Sequence, residues 1–195
     1  MARKTAARST ATDAAESLDR PPLDAEWPEQ LYRVLKAAQV RQVSYVPDAG
    51  HSALIRLFAA DRQVVSNVLT TEEEGIAIAT GAWLGGSRSL LLLQSSGVGN
   101  CVNTLTLAAN CRFPLLMLIT MRGEEGETNP WQIPMGQTTP ETLKLCGVRI
   151  FRLERAADAF SRASAAARLA FDRNTAAAVT ISQRMIGIKS FVEKQ

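Results

Sequence analysis

The chain is poor in the residues that build metal and redox centres. Its 195 residues include three cysteines and one histidine. Cys101, Cys111 and Cys146 are odd in number and form no CxxC pair, so the sequence supports neither a zinc site nor a disulfide framework. Reduced thiols in the cytoplasm are the expectation. Long apolar runs are missing as well. The stretch from Leu115 to Thr120 is the longest, far short of the ~20 residues needed to cross a bilayer, so no membrane span is expected. The opening 22 residues carry basic and Ser/Thr side chains but no apolar segment, and are expected to be a disordered tail and not a secretory signal.

Several catalytic signatures are also missing. Gly97-Val98-Gly99 follows a buried apolar strand, but Val102 stands where a dinucleotide fingerprint needs its third glycine. There is no GK[ST] for a phosphate loop and no GxSxG for a nucleophile elbow. Charge excludes a further class. Residues 1–20 hold four basic and three acidic groups, 21–140 eight and eleven, and 141–195 ten and five, for a net +3. The C-terminal basic residues are spread out without aromatic interleaving, so no nucleic-acid partner is expected.

The chain does contain a regular alternation of helix and strand patterns. A helix is predicted over 27–38, strands over 43–46 and 64–69, and a helix from Glu72 to about Leu84 closed by Gly85-Gly86. Thr71 and Glu74 read as a capping box for that helix, and Asp48 and Ser52 as caps for the one through Leu54 and Phe58. A strand over 89–94, a helix over 99–109 and a strand over 114–120 follow. Residues 121–139 read as a long functional loop, with a short helix from Pro140. A strand over 148–153, a helix over 156–171 and a strand over 177–182 complete the pattern. Continuous apolar strands imply burial on both faces. The expectation is one doubly wound α/β domain over 24–185, a mainly parallel six-stranded sheet with helices on both faces, flanked by tails over 1–23 and 186–195. Ligands of such sheets bind at the carboxyl ends of the strands. Four segments should therefore converge on one rim: Pro47 to Ser52, Thr70 to Glu74, Gln94 to Asn100 and Met121 to Gly136.

Four motifs in register give the chain a family likeness. They are TEEEGIAIATGAWLGG from Thr71, LLLLQSSGVGN from Leu90, PLLMLITMRGE from Pro114 and PWQIPMGQTT from Pro130. Together they resemble the pyrimidine-binding domain of thiamine-diphosphate-dependent decarboxylases. The likeness is greatest to sulfopyruvate decarboxylase alpha subunits, with phosphonopyruvate decarboxylases as near relatives. It implies that the glutamate nine residues before the glycine of the A-T-G-A segment, Gly81, contacts N1′ of the aminopyrimidine; that glutamate is Glu72. A carboxyl group there helps to activate the cofactor, which then acts as electron sink while the 2-oxoacid loses CO2.

The resemblance also implies cofactor contacts from Pro47, Gln94, Ser95, Ser96, Gly97, Val98 and Asn100. Substrate contacts are implied for Asp48, Ala49, His51, Arg122 and Gln132. For His51 the alternative is a solvent-facing helix-start residue. For Arg122 it is a salt bridge to Glu124, Glu125 or Glu127. Gln132 stands where phosphonopyruvate relatives carry a histidine. No GDG motif occurs, so Mg2+ and the diphosphate are expected on a separate beta subunit, in an α2β2 or larger assembly, with no metal ligands on this chain. The implied activity is decarboxylation of a small anionic 2-oxoacid, 3-sulfopyruvate being the best guess. Alternatives are phosphonopyruvate or another 2-oxoacid, a non-catalytic assembly subunit, or a nucleotide-binding domain.

Overall fold

Six parallel strands in the order β2-β1-β3-β4-β6-β5 form the centre of the molecule. The structure, a computed structural model, describes residues 26–187; most of the two expected tails lies outside that range. Helix α1 (Trp27–Ala37) leads into β1 (Val40–Tyr45), then α2 (Ser52–Ala60), β2 (Val65–Val68), α3 (Glu72–Leu84), β3 (Arg88–Gln94) and α4 (Ser95–Cys111). The second half runs through β4 (Leu115–Thr120), α5 (Ile133–Leu145), β5 (Arg149–Leu153), α6 (Ala159–Arg173), β6 (Ala176–Ile181) and the short α7 (Gln183–Ile186). Among the described residues no helix is long and apolar enough to cross a membrane.

The apolar strands face both ways, as their composition requires. Leu90, Leu92, Leu116 and Leu118 pack with Leu31, Leu35, Leu54, Phe58 and the alanine stripe Ala159, Ala163, Ala166 and Ala170. This layer joins α1, α2 and α6 to one face. The alternate residues Leu91, Leu93, Leu115, Met117 and Ile119 pack with Ile76, Ala79, Val98, Leu105 and Leu143, joining α3, α4 and α5 to the other. Period-two alternation along a strand thus fills two cores at once. Each fully buried leucine adds roughly 1.5–3 kcal/mol of burial.

Strand order creates the site. The chain runs from β1 outward to β2, then crosses back over β1 to form β3 on its other side. The carboxyl ends of β1 and β3 therefore bound a topological switch point, the crevice where open α/β sheets take ligands.

Several local expectations give way to tertiary packing. Thr71 precedes α3 but makes no side-chain cap. Glu74 instead accepts hydrogen bonds from the backbone N–H and hydroxyl of Thr70, so the box closes one residue earlier. Asp48 and Ser52 do not cap α2 either. A 3-10 turn, Ala49–His51, precedes that helix without a side-chain cap. Helix α4 starts at Ser95 and takes in the whole Ser-Ser-Gly-Val-Gly run.

The long loop is shorter than expected. A 3-10 turn, Pro130–Gln132, leads directly into α5, which contains Pro140. Proline inside a helix clashes with the carbonyl four residues earlier and breaks one hydrogen bond; here that carbonyl belongs to Gly136. The helix persists because it is fastened elsewhere. Gly136 lies directly on the Arg122 carbonyl, where a Cβ would overlap it. Gly123, at φ +73, abuts Gln132, where a Cβ would come within 2.5 Å of the carbonyl oxygen. Two glycines thereby let the end of β4 lie against the start of α5, backbone on backbone.

Candidate functional site

Glu72 is the first residue of α3 and only 8% exposed. Its Oε2 accepts a hydrogen bond of 2.8 Å from Nδ2 of Asn100, in the second turn of α4. Its Cδ and Oε1 lie against Gly97, where a Cβ would overlap both atoms. Gly97 and Asn100 are three residues apart and so share one face of α4. Gly97 and Asn100 therefore form a helical face shaped around a carboxyl group. Glu73 is exposed, and Glu74 is engaged with Thr70. Of the three consecutive glutamates only Glu72 turns into the fold.

A second hydrogen-bonded chain spans the switch point. Asp48, just after β1, accepts from Gln94 Nε2 at 3.1 Å and from the Thr120 hydroxyl at 2.7 Å. Gln94 Oε1 accepts from Ser96 Oγ at 2.9 Å and from Gln132 Nε2 at 3.2 Å. Because a carboxylate only accepts, Asp48 fixes the Gln94 amide, and Gln94 in turn fixes the Gln132 amide. Gln132 Oε1 is buried without a hydrogen-bond partner. Gly50 permits the closure: a Cβ there would stand 2.8 Å from the Thr120 methyl and 2.9 Å from Asp48 Oδ2. All four expected segments thus meet at one rim, with Pro47 and Ala49 exposed on it.

Four expected contact residues face inward instead. His51 has no exposed surface, so it neither faces solvent nor reaches the rim. Its Nε2 lies 3.2 Å from the Leu93 carbonyl and 3.1 Å from that of Leu118. Two carbonyl acceptors assign the proton to Nε2, leaving Nδ1 buried and unpartnered. Burial holds the ring's pKa below its ordinary value, against the opposing attraction of Asp48. Val98 packs into the core beneath α4. Ser95 Oγ, fully buried, accepts from the Arg122 backbone N–H at 3.0 Å.

Arg122 is committed to an ion pair. Its Nε and NH2 nitrogens donate to the two oxygens of Glu127 at 2.8 and 2.7 Å, and the two side chains are 5% and 1% exposed. The Glu127 carboxylate also accepts from the backbone N–H groups of Gly123 and Asn129 and from Gln183 Nε2. The Arg122 hydrogen bonds hold its pKa down at about 2, with burial opposing them and the other donors adding to the effect. Asn129 then accepts from Trp131 N–H and so places the turn that carries Gln132. Two of the three guanidinium nitrogens are thereby spent on Glu127.

Thr120 and Gln183 were not among the expected site residues, and of the three carboxylates offered as alternative partners for Arg122 it is Glu127 that pairs with it. Thr120 left one signal: it is a polar residue ending an apolar strand at the ligand-binding edge. Gln183 left none, since its bond to Glu127 joins segments 56 residues apart. A cleft of about 500 Å3 lined by Gly123, Glu124, Glu125, Ile133, Gly136 and Gln137 contains none of the expected site residues. Glu124 there is paired with Arg152 at 2.6 Å, and Glu125 with Arg184. Among the described residues no group of three or more His, Cys, Asp or Glu could hold a metal ion.

No family model matches the chain. It is 31% identical over 154 residues to the sulfopyruvate decarboxylase subunit alpha of Methanococcus maripaludis, covering 78% of this chain and 92% of the relative. Over 131 residues it is 31% identical to the corresponding subunit of Methanocaldococcus jannaschii, covering 67% and 78%. It is 35% identical over 131 residues to phosphonopyruvate decarboxylase of Streptomyces viridochromogenes, of which it spans 33%. Among solved structures, 2-oxoglutarate:ferredoxin oxidoreductase from Magnetococcus marinus superposes with a TM-score of 0.65 at 12% identity, over 83% of this chain and 29% of that one. That likeness is one of fold.

Proposed function

Because the chain belongs to the family of sulfopyruvate decarboxylase alpha subunits, we propose that it is the alpha subunit of a two-chain carboxy-lyase dependent on thiamine diphosphate. The substrate is a small anionic 2-oxoacid, 3-sulfopyruvate for preference, giving sulfoacetaldehyde and CO2. The single observation that carries this is Glu72: a carboxyl group withdrawn from water at the strand ends, held by Asn100 and bedded on a glycine.

The residues present fit the aminopyrimidine half of the cofactor. A ring nitrogen needs one carboxyl partner in a water-poor site, and Glu72, tied by Asn100 and bedded on Gly97, supplies it. Once bound, the cofactor provides the electron sink for loss of CO2. Glu72 holds a proton at the carboxyl that meets N1′. Asp48, Gln94 and Gln132 form a fixed polar wall across the switch point, and Pro47 and Ala49 form its outer lip. Arg122 and Glu127 set the loop that carries Gln132.

The diphosphate and Mg2+ belong to a beta subunit, with each site lying between the two chains. The exposed apolar residues Leu84 on α3 and Val102 and Leu107 on α4 favour such a partner, since large apolar side chains left in water are suited to burial by a second chain. An α2β2 or larger assembly and a cytoplasmic setting accompany this reading.

The test is decarboxylation by this chain alone, by the co-expressed beta chain alone and by the pair, with thiamine diphosphate and Mg2+. Sulfopyruvate, phosphonopyruvate, pyruvate and an aryl 2-oxoacid form the substrate panel. Turnover by the pair only, greatest on sulfopyruvate, is the expected result. Full turnover by this chain alone would overturn the two-chain assignment, and preference for phosphonopyruvate would move the substrate to the neighbouring branch.

A further inference from the structure

Resting on the reading of Glu72 as the partner of N1′, we infer that Asn100 is a positioning residue for Glu72, and that Oε1 is the oxygen offered to the cofactor. A carboxyl group has two equivalent oxygens, and its terminal torsion is broad and two-fold. An unanchored Glu72 would present either oxygen over a range of angles.

Two features of α4 remove that freedom. Asn100 Nδ2 donates to Oε2 at 2.8 Å. An amide NH2 can only donate, so a proton carried by the carboxyl group resides on Oε1. Gly97, on the same face of α4, leaves a notch into which Cδ and Oε1 fit and which any side chain would fill. One oxygen is tied by a neutral donor and the other lies over bare backbone, open to a ring nitrogen. Asn100 itself is exposed while Glu72 is buried, so the asparagine acts from the outer side of the carboxyl group. The resemblance to thiamine-diphosphate enzymes implies instead that Asn100 touches the cofactor directly, and the two roles predict different couplings between the residues.

A double-mutant cycle on the complex of this chain with its beta subunit separates them. The variants are Glu72→Ala, which removes the acceptor, Asn100→Ala and the two combined, with Glu72→Gln as the shape-keeping change and Asn100→Asp as an isosteric change that replaces the donor with an acceptor. The readouts are affinity for thiamine diphosphate by calorimetry, kcat and KM for sulfopyruvate, and the thermal midpoint. Asn100→Asp is expected to lower kcat by at least about tenfold, with KM changed by less than about threefold, since the lost hydrogen bond serves the proton-holding group. In the Glu72→Ala background, Asn100→Ala should change cofactor affinity by less than about twofold, although it weakens binding in the native background. Fully additive losses in affinity would overturn the positioning role and leave Asn100 as a direct contact. Normal affinity and turnover in Glu72→Gln would overturn both this inference and the cofactor reading beneath it. A native kcat in Asn100→Asp would overturn the inference alone.

Discussion

Gly97 and Glu72 are in contact so close that no side chain fits between them: a Cβ at Gly97 would overlap Cδ and Oε1 of the glutamate. A residue on α4 thereby dictates where the first residue of α3 holds its carboxyl group. The glycine is required by space and not by backbone conformation, because it lies within a regular helix.

Gly97→Ala is therefore expected to displace Glu72 and to lower turnover by at least about tenfold, at an over-packing cost of roughly 1–3 kcal/mol. Gly99→Ala is the control. Its Cβ would meet only the flexible end of Met135, 3.3 Å away. Steady-state rates and thermal midpoints of the two variants beside the native complex provide the check. Equal activity in both would deny the notch a role.

Glu72→Gln keeps the shape and can still accept from Asn100 through its carbonyl. It loses the carboxyl's ability to hold and release a proton. Turnover is expected to fall by about 10²–10⁴-fold, the usual range for a lost acid–base group, with an unchanged circular dichroism spectrum. A near-native rate would remove Glu72 from the mechanism.

The Arg122–Glu127 pair gives a pH dependence of stability with a definite sign. The folded carboxyl group titrates at about 2 against an ordinary value of 4.5. Its contribution, roughly 3 kcal/mol by linkage, is complete above about pH 4.5 and declines as pH falls towards 2. Glu127→Gln leaves the Arg122 guanidinium buried without its counter-charge and is expected to cost about 3–5 kcal/mol at pH 7. Urea midpoints at pH 7, 4 and 3 provide the check: the native chain should lose stability across that range more steeply than the variant.

His51 acts in a different window. Its folded pKa lies below the ordinary 6.5, so below that pH the unfolded chain binds a proton that the folded chain refuses. Stability is expected to fall as pH drops from 6.5 towards 5. His51→Gln should flatten that slope while lowering stability at pH 7, because the Leu93 and Leu118 carbonyls lose a well-placed donor. An identical slope in the variant would assign the dependence to another group.

Much of this protein was legible in its sequence. Continuous apolar strands such as Leu115–Thr120, alternating with helix-period segments, required a doubly buried parallel sheet, and each predicted strand is present. The family resemblance, through its nine-residue spacing to Gly81, implied one of three adjacent glutamates, and Glu72 is the one that is buried. The segments expected at the rim do meet there. These features were legible because period and spacing are local properties, and a sheet converts them into position with little freedom.

Three side chains lie deeper than strand ends alone suggest, for one reason. Arg122, His51 and Ser95 stand at strand ends, where sequence places ligand contacts. Whether a side chain at such a place faces the ligand or the interior depends on partners the local pattern does not specify: Glu127, itself held by the distant Gln183, for Arg122, and the Leu93 and Leu118 carbonyls for His51. The start of α5 was hidden likewise, because Pro140 argues locally against a helix that Gly136 and Gly123 secure by packing on β4. The sequence by itself determined the sheet and its two cores, since hydrophobic periodicity leaves few alternatives, and its resemblance to thiamine-diphosphate decarboxylases marked Glu72. Only the tertiary structure decided which polar groups are spent on one another and which remain for a ligand, since that pairing depends on distances of about 3 Å between residues up to 72 positions apart.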